Sequence, residues 1–344
     1  SAGASTASPW GSGYLPDVRL TDQDGNSRRF YSDVLKGRIA VIAFIYTSCR
    51  DICPVVTARL AQVQDRLNQD RLNQDKAAGA ASEPVFVAIS IDPATDTPAR
   101  LKDYADAFGV GPGFTFLTGA PEDIALVRHK LGERSRKLVE HSRTLLLYND
   151  ATGEWARDSA FGDLTVLATT IRAMNPAYSA GSPAGHVGGQ VGEAHVGGQV
   201  GEAHVGEAHV GEASLAPDLP GQSLFLKTCA ACHTVGGGVR VGPDLIGLSG
   251  RRGRDWLTAY ITDPQRLRAS GDPAAEELAR AYPAVRMPNL SLSEADAADV
   301  LAYVEARTYA AREAARDAAR DTAQDATKDT AAAEAGHHHH HHHH

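Results

Sequence analysis

The sequence predicts an α/β domain followed by a small all-α domain, with a disordered repeat linker between them. Three observations carry this. Up to about residue 175, apolar β-branched runs alternate with helical patterns. From 176 to 217 the chain repeats HVGGQVGEA and HVGEA units, rich in glycine and without large apolar side chains to bury. From 218 to 308 short helical segments alternate with Gly- and Pro-rich loops. A charged Ala-rich repeat fills 309–336, and 337–344 is a polyhistidine affinity tag.

Each element has a local reason. Arg38 to Tyr46 is a nearly unbroken apolar run, as expected of a central strand covered on both faces. Pro54 to about Asp75 reads as helix, its exposed end lengthened by the duplication RLNQD-RLNQD. Val85 to Ile91 is a second buried strand. Thr97 as N-cap and Pro98 at the first helical position then open a helix through Phe108. Phe114 to Leu117 is a short strand and Pro121 to Leu131 a helix. Arg143 to Tyr148, the turn Asn149 to Gly153, and Glu154 to Arg157 form a hairpin. Asp163 to Ala173 closes the unit as a helix. This order suggests a three-layer α/β domain of thioredoxin type.

The linker, at about 40 residues, has an end-to-end distance of roughly 35 Å as a flexible coil, so the flanking domains can meet. Its histidines, His186, His195, His204 and His209, read as part of a repeat-expanded spacer, the sharper alternative being a metal-gathering tract. The tail from Tyr309 to Ala335 lacks a broad apolar face and is expected as a solvated or frayed helix.

Composition excludes several classes. The chain has 344 residues, 42% hydrophobic and 22% charged, with a net charge of −8. No basic surplus exists to neutralise phosphates, so a nucleic-acid partner is not expected. No run of about 18 apolar residues occurs, so no segment is expected to span a membrane. The chain begins at Ser1, which is compatible with a signal peptide or membrane anchor upstream.

The 4 cysteines fall in two close pairs, Cys49/Cys53 and Cys229/Cys232, each with a histidine in reach. That pattern reads as two separate redox or metal sites rather than a disulfide framework. Cys229-Ala-Ala-Cys232-His233 is C-x-x-C-H, the signature of covalent haem attachment. The two thiols form thioethers to vinyl groups while the adjacent imidazole is directed at the iron. Met287, followed by Pro288, supplies the usual thioether partner for the sixth position. The other methionine, Met174, is expected to pack in the first domain.

Residues 218–308 resemble class I cytochromes c. Gly221 to Lys227 looks like the N-terminal helix of that family, with Gly221 and Phe225 at its close helix contact. Ser293 to Ala306 looks like the C-terminal helix, with Tyr303 as the opposing aromatic and Ser293 and Asp296 in a capping box. Gly242-Pro243-Asp244-Leu245 resembles the loop whose proline carbonyl, here that of Pro243, orients the proximal histidine. Arg251, Arg252 and Trp256 are candidates for propionate contacts.

Cys49 and Cys53 form C-x-x-x-C directly after the first strand, with Pro54 opening a helix whose N-terminus stabilises thiolate. The spacing is one residue longer than the thioredoxin-type C-x-x-C and admits a metal between the sulfurs. His141 is the well-placed imidazole, and two thiolates with one imidazole suit copper. His129 sits in a helical surface pattern and is expected in solvent.

Phe44-Ile-Tyr-Thr-Ser-Cys49-Arg-Asp-Ile-Cys53-Pro54, then Ser90-Ile-Asp92-Pro-Ala-Thr-Asp96-Thr-Pro98, then Glu140-His141-Ser142 resemble the Sco/SenC proteins over roughly residues 10–175. That resemblance implies a thioredoxin fold with copper held by Cys49, Cys53 and His141. It implies a role in maturing the copper centre of cytochrome c oxidase, by delivering copper, reducing the target's cysteines, or both. Asp92 matches a family aspartate that tunes the histidine or contacts the partner, its plainer reading being a turn residue at a helix entry. One position departs from the family: the residue after the first cysteine is usually proline and here is Arg50, whose charge favours thiolate but repels copper ions.

The sequence therefore predicts a copper-handling electron-transfer protein with one covalent haem c and one copper, Cu⁺ or Cu²⁺. Its expected compartment is the periplasm of a Gram-negative bacterium. Its expected partners are a copper-accepting oxidase subunit, or another periplasmic copper protein, and a cytochrome that gives or takes electrons. Two alternatives stand: a thiol–disulfide oxidoreductase working through Cys49 and Cys53, and a redox or copper sensor. With Met287 on the iron, a peroxidase role is disfavoured.

Overall fold

The computed structural model describes residues 11–50, 52–73, 83–136, 143–180 and 219–337. The first part is built on a seven-stranded sheet in the order β2-β1-β5-β4-β3-β6-β7. The strands are β1 (Arg19–Asp22), β2 (Ser27–Arg29), β3 (Ile39–Ile45), β4 (Val85–Ser90), β5 (Phe114–Thr118), β6 (Thr144–Asn149) and β7 (Glu154–Ser159). β3, β4 and β5 run parallel, with Ala40 opposite Val85 and Phe86 opposite Phe114. β6 and β7 add antiparallel on one side, β1 and β2 on the other.

Every residue of β3 is buried because both its faces are covered. Side chains alternate across a strand, so Ile39, Val41, Ala43 and Ile45 share one core. Residues of α1 (Cys53–Asn73), α2 (Pro98–Phe108) and α4 (Leu164–Ala173) complete that core. Ala40, Ile42 and Phe44 face the opposite layer. There a π-helical turn, Phe30–Leu35, and α3 (Pro121–Lys130) pack against them. This is the three-layer α/β arrangement. The expected elements appear within a residue or two of their expected ends, and Met174 is buried in the first core.

α2 starts as its sequence demands: the Thr97 side chain accepts from the Arg100 N–H, and Pro98 fills the first turn. Gly109, at φ +61°, ends it in the left-handed region. The hairpin β1–β2 and the Phe30–Leu35 turn were not expected. Their polar three- and four-residue strands carry too little alternation to stand out.

After a turn at 174–175 a separate short helix, α5 (Pro176–Ala180), begins where the linker was expected to start. The repeat segment itself falls outside the described residues.

The second part is helical. The expected N-terminal helix is a short α6 (Gln222–Leu224) that continues as a π-helical turn, Phe225–Cys229. The remaining helices are α7 (Leu248–Arg251), α8 (Arg254–Thr262), α9 (Pro264–Ala269), α10 (Pro273–Ala281) and α11 (Glu294–His337). α11 absorbs the Ala-rich tail into one continuous helix. Its residues favour helix, and Glu313–Arg316 and Asp317–Arg320 pair across i,i+3 positions. Gly221 meets α11 where a Cβ would stand 2.2 Å from the Asp299 carbonyl oxygen. One turn on, the Phe225 and Tyr303 rings lie 5.0 Å apart. Asp296 N–H donates to Ser293 Oγ at 3.1 Å, and the Asp296 carboxylate accepts from Ser293 N–H at 2.9 Å, closing the capping box. No helix among the described residues is long and apolar enough to cross a membrane.

Candidate cofactor cavity and dithiol site

The C-x-x-C-H segment leaves the π-helical turn in a tight bend, with the N–H groups of Cys232 and His233 both donating to the Cys229 carbonyl. Cys229, Cys232 and His233 thereby line one cavity of about 510 Å³, and Met287 lines it too. That size lies within the roughly 300–1,000 Å³ of cofactor pockets. Leu257, Tyr260, Leu301 and Val304 make most of the remaining wall apolar.

His233 Nδ1 donates to the Pro243 carbonyl at 2.9 Å, which leaves Nε2 with its lone pair for a metal. Burial lowers the His233 pKa, and the Pro243 contact only partly opposes this, so the ring is held neutral, its metal-binding form. A Cβ on Gly242 would stand 2.4 Å from His233 Cε1, so only glycine leaves room for the ring there. Burial also raises both thiols, Cys232 to about 12, and its neighbour Cys229 adds to the rise. Thiols that resist ionisation are poor thiolate ligands. A neutral imidazole, a thioether and two protonated thiols around an apolar cavity fit a covalently held haem.

Arg251, Arg252 and Trp256 line this cavity. Each already donates within the protein: Arg251 to the Asp244 and Ile246 carbonyls, Arg252 to Glu277, and the Trp256 indole to Asp272 at 3.0 Å.

At the end of β3 lies the second site. Cys49 is 4% exposed, and Cys53, the first residue of α1, is fully buried. The approach to Cys49 is held by Asp96, whose buried carboxylate accepts from Thr47 N–H and Thr47 Oγ1 and from Ser90 Oγ at 2.6 Å. Arg100 supports it, with Nε 2.6 Å from Thr47 Oγ1 and 3.9 Å from the Asp96 carboxylate. Asp96 lies in the Ser90–Pro98 motif, where nothing local distinguishes it from its neighbours. Asp92 is a turn residue: its carbonyl accepts from Thr95 and Asp96, and its N–H donates to Ser90 Oγ. His141 lies outside the described residues, among which no three His, Cys, Asp or Glu side chains gather as a metal cluster. His129 is exposed, with Arg134 Nη1 2.7 Å from its Nδ1.

The two sites adjoin. Pro54, next to Cys53, lines the same cavity as His233 and Met287. The Arg50 carbonyl accepts from Asn289 N–H at 3.0 Å and from Gln265 Nε2 at 2.8 Å. From α1, Arg59 Nη1 donates to the Lys227 carbonyl at 2.9 Å and Gln62 Nε2 to that of Ala230 at 3.2 Å. Burial raises the pKa of the Tyr104 phenol on α2, and its neighbours Cys53, Cys49 and Cys232 add to the rise. None of these long-range contacts has a local signature.

Comparison with known proteins resolves the same two parts. Residues 12–157 match the SCO1/SenC family model, and residues 219–308 match the cytochrome c model. A SCO2-like protein of Rickettsia conorii is 39% identical over 114 residues, covering 33% of this chain and 49% of the relative. A putative copper-binding protein of Stutzerimonas stutzeri is 32% identical over 118 residues, covering 34% of this chain and 52% of the relative. The chain thus spans about half the length of the curated relatives it matches. Among solved structures, Arabidopsis thaliana ScoI with copper bound aligns with a TM-score of 0.38 at 23% identity, over 47% of this chain and 97% of that one.

Proposed function

This chain joins a SCO1/SenC domain at residues 12–157 to a cytochrome c domain at residues 219–308, and on that premise we propose that it loads and passes on copper in the periplasm with its own electron carrier attached. Copper is the cargo, held by the thiolates of Cys49 and Cys53 and by His141. The recipient is the copper subunit of a cytochrome oxidase or another periplasmic copper protein, and a separate cytochrome exchanges electrons with the chain. The single observation that carries this reading is adjacency: Pro54 of the dithiol segment lines the cavity that His233 and Met287 share.

A haem c held by Cys229, Cys232, His233 and Met287 supplies reversible one-electron redox chemistry. Copper also changes state by one electron, whereas a dithiol exchanges two, so a single-electron carrier suits a copper site better. The protein's own residues do the rest. Pro243 fixes the imidazole tautomer, Gly242 leaves space for its ring, and Arg251, Arg252 and Trp256 border the cavity for the propionates. Asp96 fixes the strand end that delivers Cys49, and α1 sets its N-terminus under Cys53. The Arg50 side chain follows Cys49, where its charge favours thiolate and holds copper affinity below that of a proline at the same position. Asp92 shapes the entry to α2 beside this loop. Haem attachment to C-x-x-C-H takes place outside the cytoplasmic membrane, which supports a periplasmic location.

The test is metal stoichiometry on the reduced protein. One copper per chain, lost in Cys49→Ser, Cys53→Ser and His141→Ala alike, is expected. Disulfide reductase activity that survives His141→Ala, with no copper at the thiols, would replace this reading with a thiol–disulfide oxidoreductase.

A further inference from the structure

We infer that the Cys49–Cys53 loop and the face of α1 carrying Arg59 and Gln62 are a docking surface for the chain's own cytochrome c domain, and that docking ties the state of the two cysteines to the methionine loop; the second part rests on the function proposed above. Among the described residues four hydrogen bonds define the surface, and they fall in two groups.

The first group comes from α1. Arg59 is 2% exposed and donates to three main-chain carbonyls among the described residues: Ala160 and Gly162 at home, and Lys227 across the junction. Gln62 reaches the Ala230 carbonyl between the two cysteines of C-x-x-C-H. Both donors meet carbonyls at the end of a helical turn, where acceptors lack helical partners. Between them the apolar surface is continuous. Ala231 and Val241 belong to the same buried cluster as Val56, Leu60 and Tyr104, with Ile52, Cys232 and Val285 packed against it.

The second group converges on one atom, the Arg50 carbonyl oxygen, which accepts from Gln265 and from the Asn289 N–H. Arg50 lies inside the three-residue bridge between the cysteines. Asn289 lies two residues after Met287, with the conformationally fixed Pro288 between. Arg268 Nη2 donates to the Met287 carbonyl at 3.2 Å. Closing a disulfide draws the two Cβ atoms to about 3.5–4.5 Å, a spacing that separate thiols or metal-bound thiolates do not require. Arg50, bonded directly to Cys49, moves with that change, and its carbonyl moves the Met287 segment through the Asn289 N–H.

The experiment uses the full haem-loaded chain with its cysteine pair first as the dithiol and then oxidised. Oxidation joins the two sulfurs and passes two electrons and two protons to an added small-molecule disulfide. The haem reduction potential, the methionine–iron absorption band and the solution scattering profile are recorded in both states. The double variant Gln62→Ala/Gln265→Ala is run beside the wild type, since it removes two cross-junction bonds and neither site. The wild type is expected to scatter as one compact body. Its equilibrium constant for haem reduction should change at least threefold between the dithiol and disulfide states. In the double variant the profile should extend and the change vanish. A wild type that scatters as two independent bodies overturns the docking surface. An unchanged wild-type potential and band, or a change that persists in the double variant, overturns the coupling. Copper stoichiometry on the same samples separates the two claims: failure to bind copper at Cys49 and Cys53 removes the proposed cargo and leaves the docking result standing.

Discussion

The N–H of Asn289 donates to the carbonyl of Arg50 at 3.0 Å, across the junction between the two folded parts of the chain. It connects the residue after Cys49 to the residue two places after Met287, so the dithiol loop and the methionine loop meet through main chain. The Arg50 carbonyl accepts whatever side chain that residue carries, and position 289 can donate as long as it is not proline. The bond uses only the Arg50 carbonyl, so the charged side chain at that position is not part of it.

Gly221→Ala should destabilise the helical part by about 2–5 kcal/mol. The added Cβ would stand 2.2 Å from the Asp299 oxygen and 2.7 Å from the Val300 nitrogen, both backbone atoms, at a residue whose φ is +76°. Denaturant unfolding followed by haem absorbance measures this, and an unchanged midpoint would mean the contact with α11 is loose.

Gly242→Ala should act on the imidazole instead. Its Cβ meets the His233 ring, which the Pro243 carbonyl holds in place, so the ring must turn off its axis. Axial ligation is expected to weaken about 10–100-fold, as for other changes behind a metal-binding histidine. Imidazole added in solution should restore the low-spin spectrum; a variant with an unaltered spectrum would show that the ring has room to spare.

Asp96→Asn should cost about 2–4 kcal/mol, because the amide replaces a buried carboxylate that accepts from Thr47 and Ser90 and faces Arg100. Copper affinity should fall with it, since Asp96 anchors the segment leading to Cys49. Thermal melts and competitive copper titration check the two halves separately. Full stability with intact affinity would remove Asp96 from the account.

The helical part should be acid-labile below the ordinary carboxylate range. Burial alone would raise the Asp244 pKa, but N–H bonds from Gly236, Gly238 and Ile246 at 2.7–2.9 Å outweigh it and lower the value. A carboxyl with a depressed folded-state pKa stabilises above its unfolded value of about 3.9 and loses that contribution as pH falls through the folded value. Asp244→Asn should therefore be less stable at pH 7 and show a flatter acid limb. Equal acid limbs, by circular dichroism, would assign the lability to other carboxylates.

Much of the fold was legible because it rests on short-range pattern. The apolar run of β3, the Thr97–Pro98 helix start and the Ser293–Asp296 box are each decided within a few residues, and the structure shows all three. The C-x-x-C-H bend is equally local. What escaped is tertiary. Arg59 reads in sequence as one more charged residue on a long helix, yet it is buried because three carbonyls from two distant segments converge on it. Gln265 and Asn289 give no hint of Arg50, which lies more than two hundred residues away. The expected N-terminal helix is present as three α-helical residues followed by five π-helical ones, a change of hydrogen-bond pattern that the sequence does not mark.

In the proposed function Cys49, Cys53 and His141 form a copper site that trades single electrons with the haem of the same chain. Its most direct test is to titrate the reduced holoprotein with Cu²⁺ while recording the haem bands, with His141→Ala alongside. One equivalent of Cu²⁺ is expected to bind as the ferrous bands disappear in step, one electron for each copper, and His141→Ala is expected to abolish both. Copper bound only by the repeat histidines, or haem bands indifferent to copper at the thiols, would contradict it.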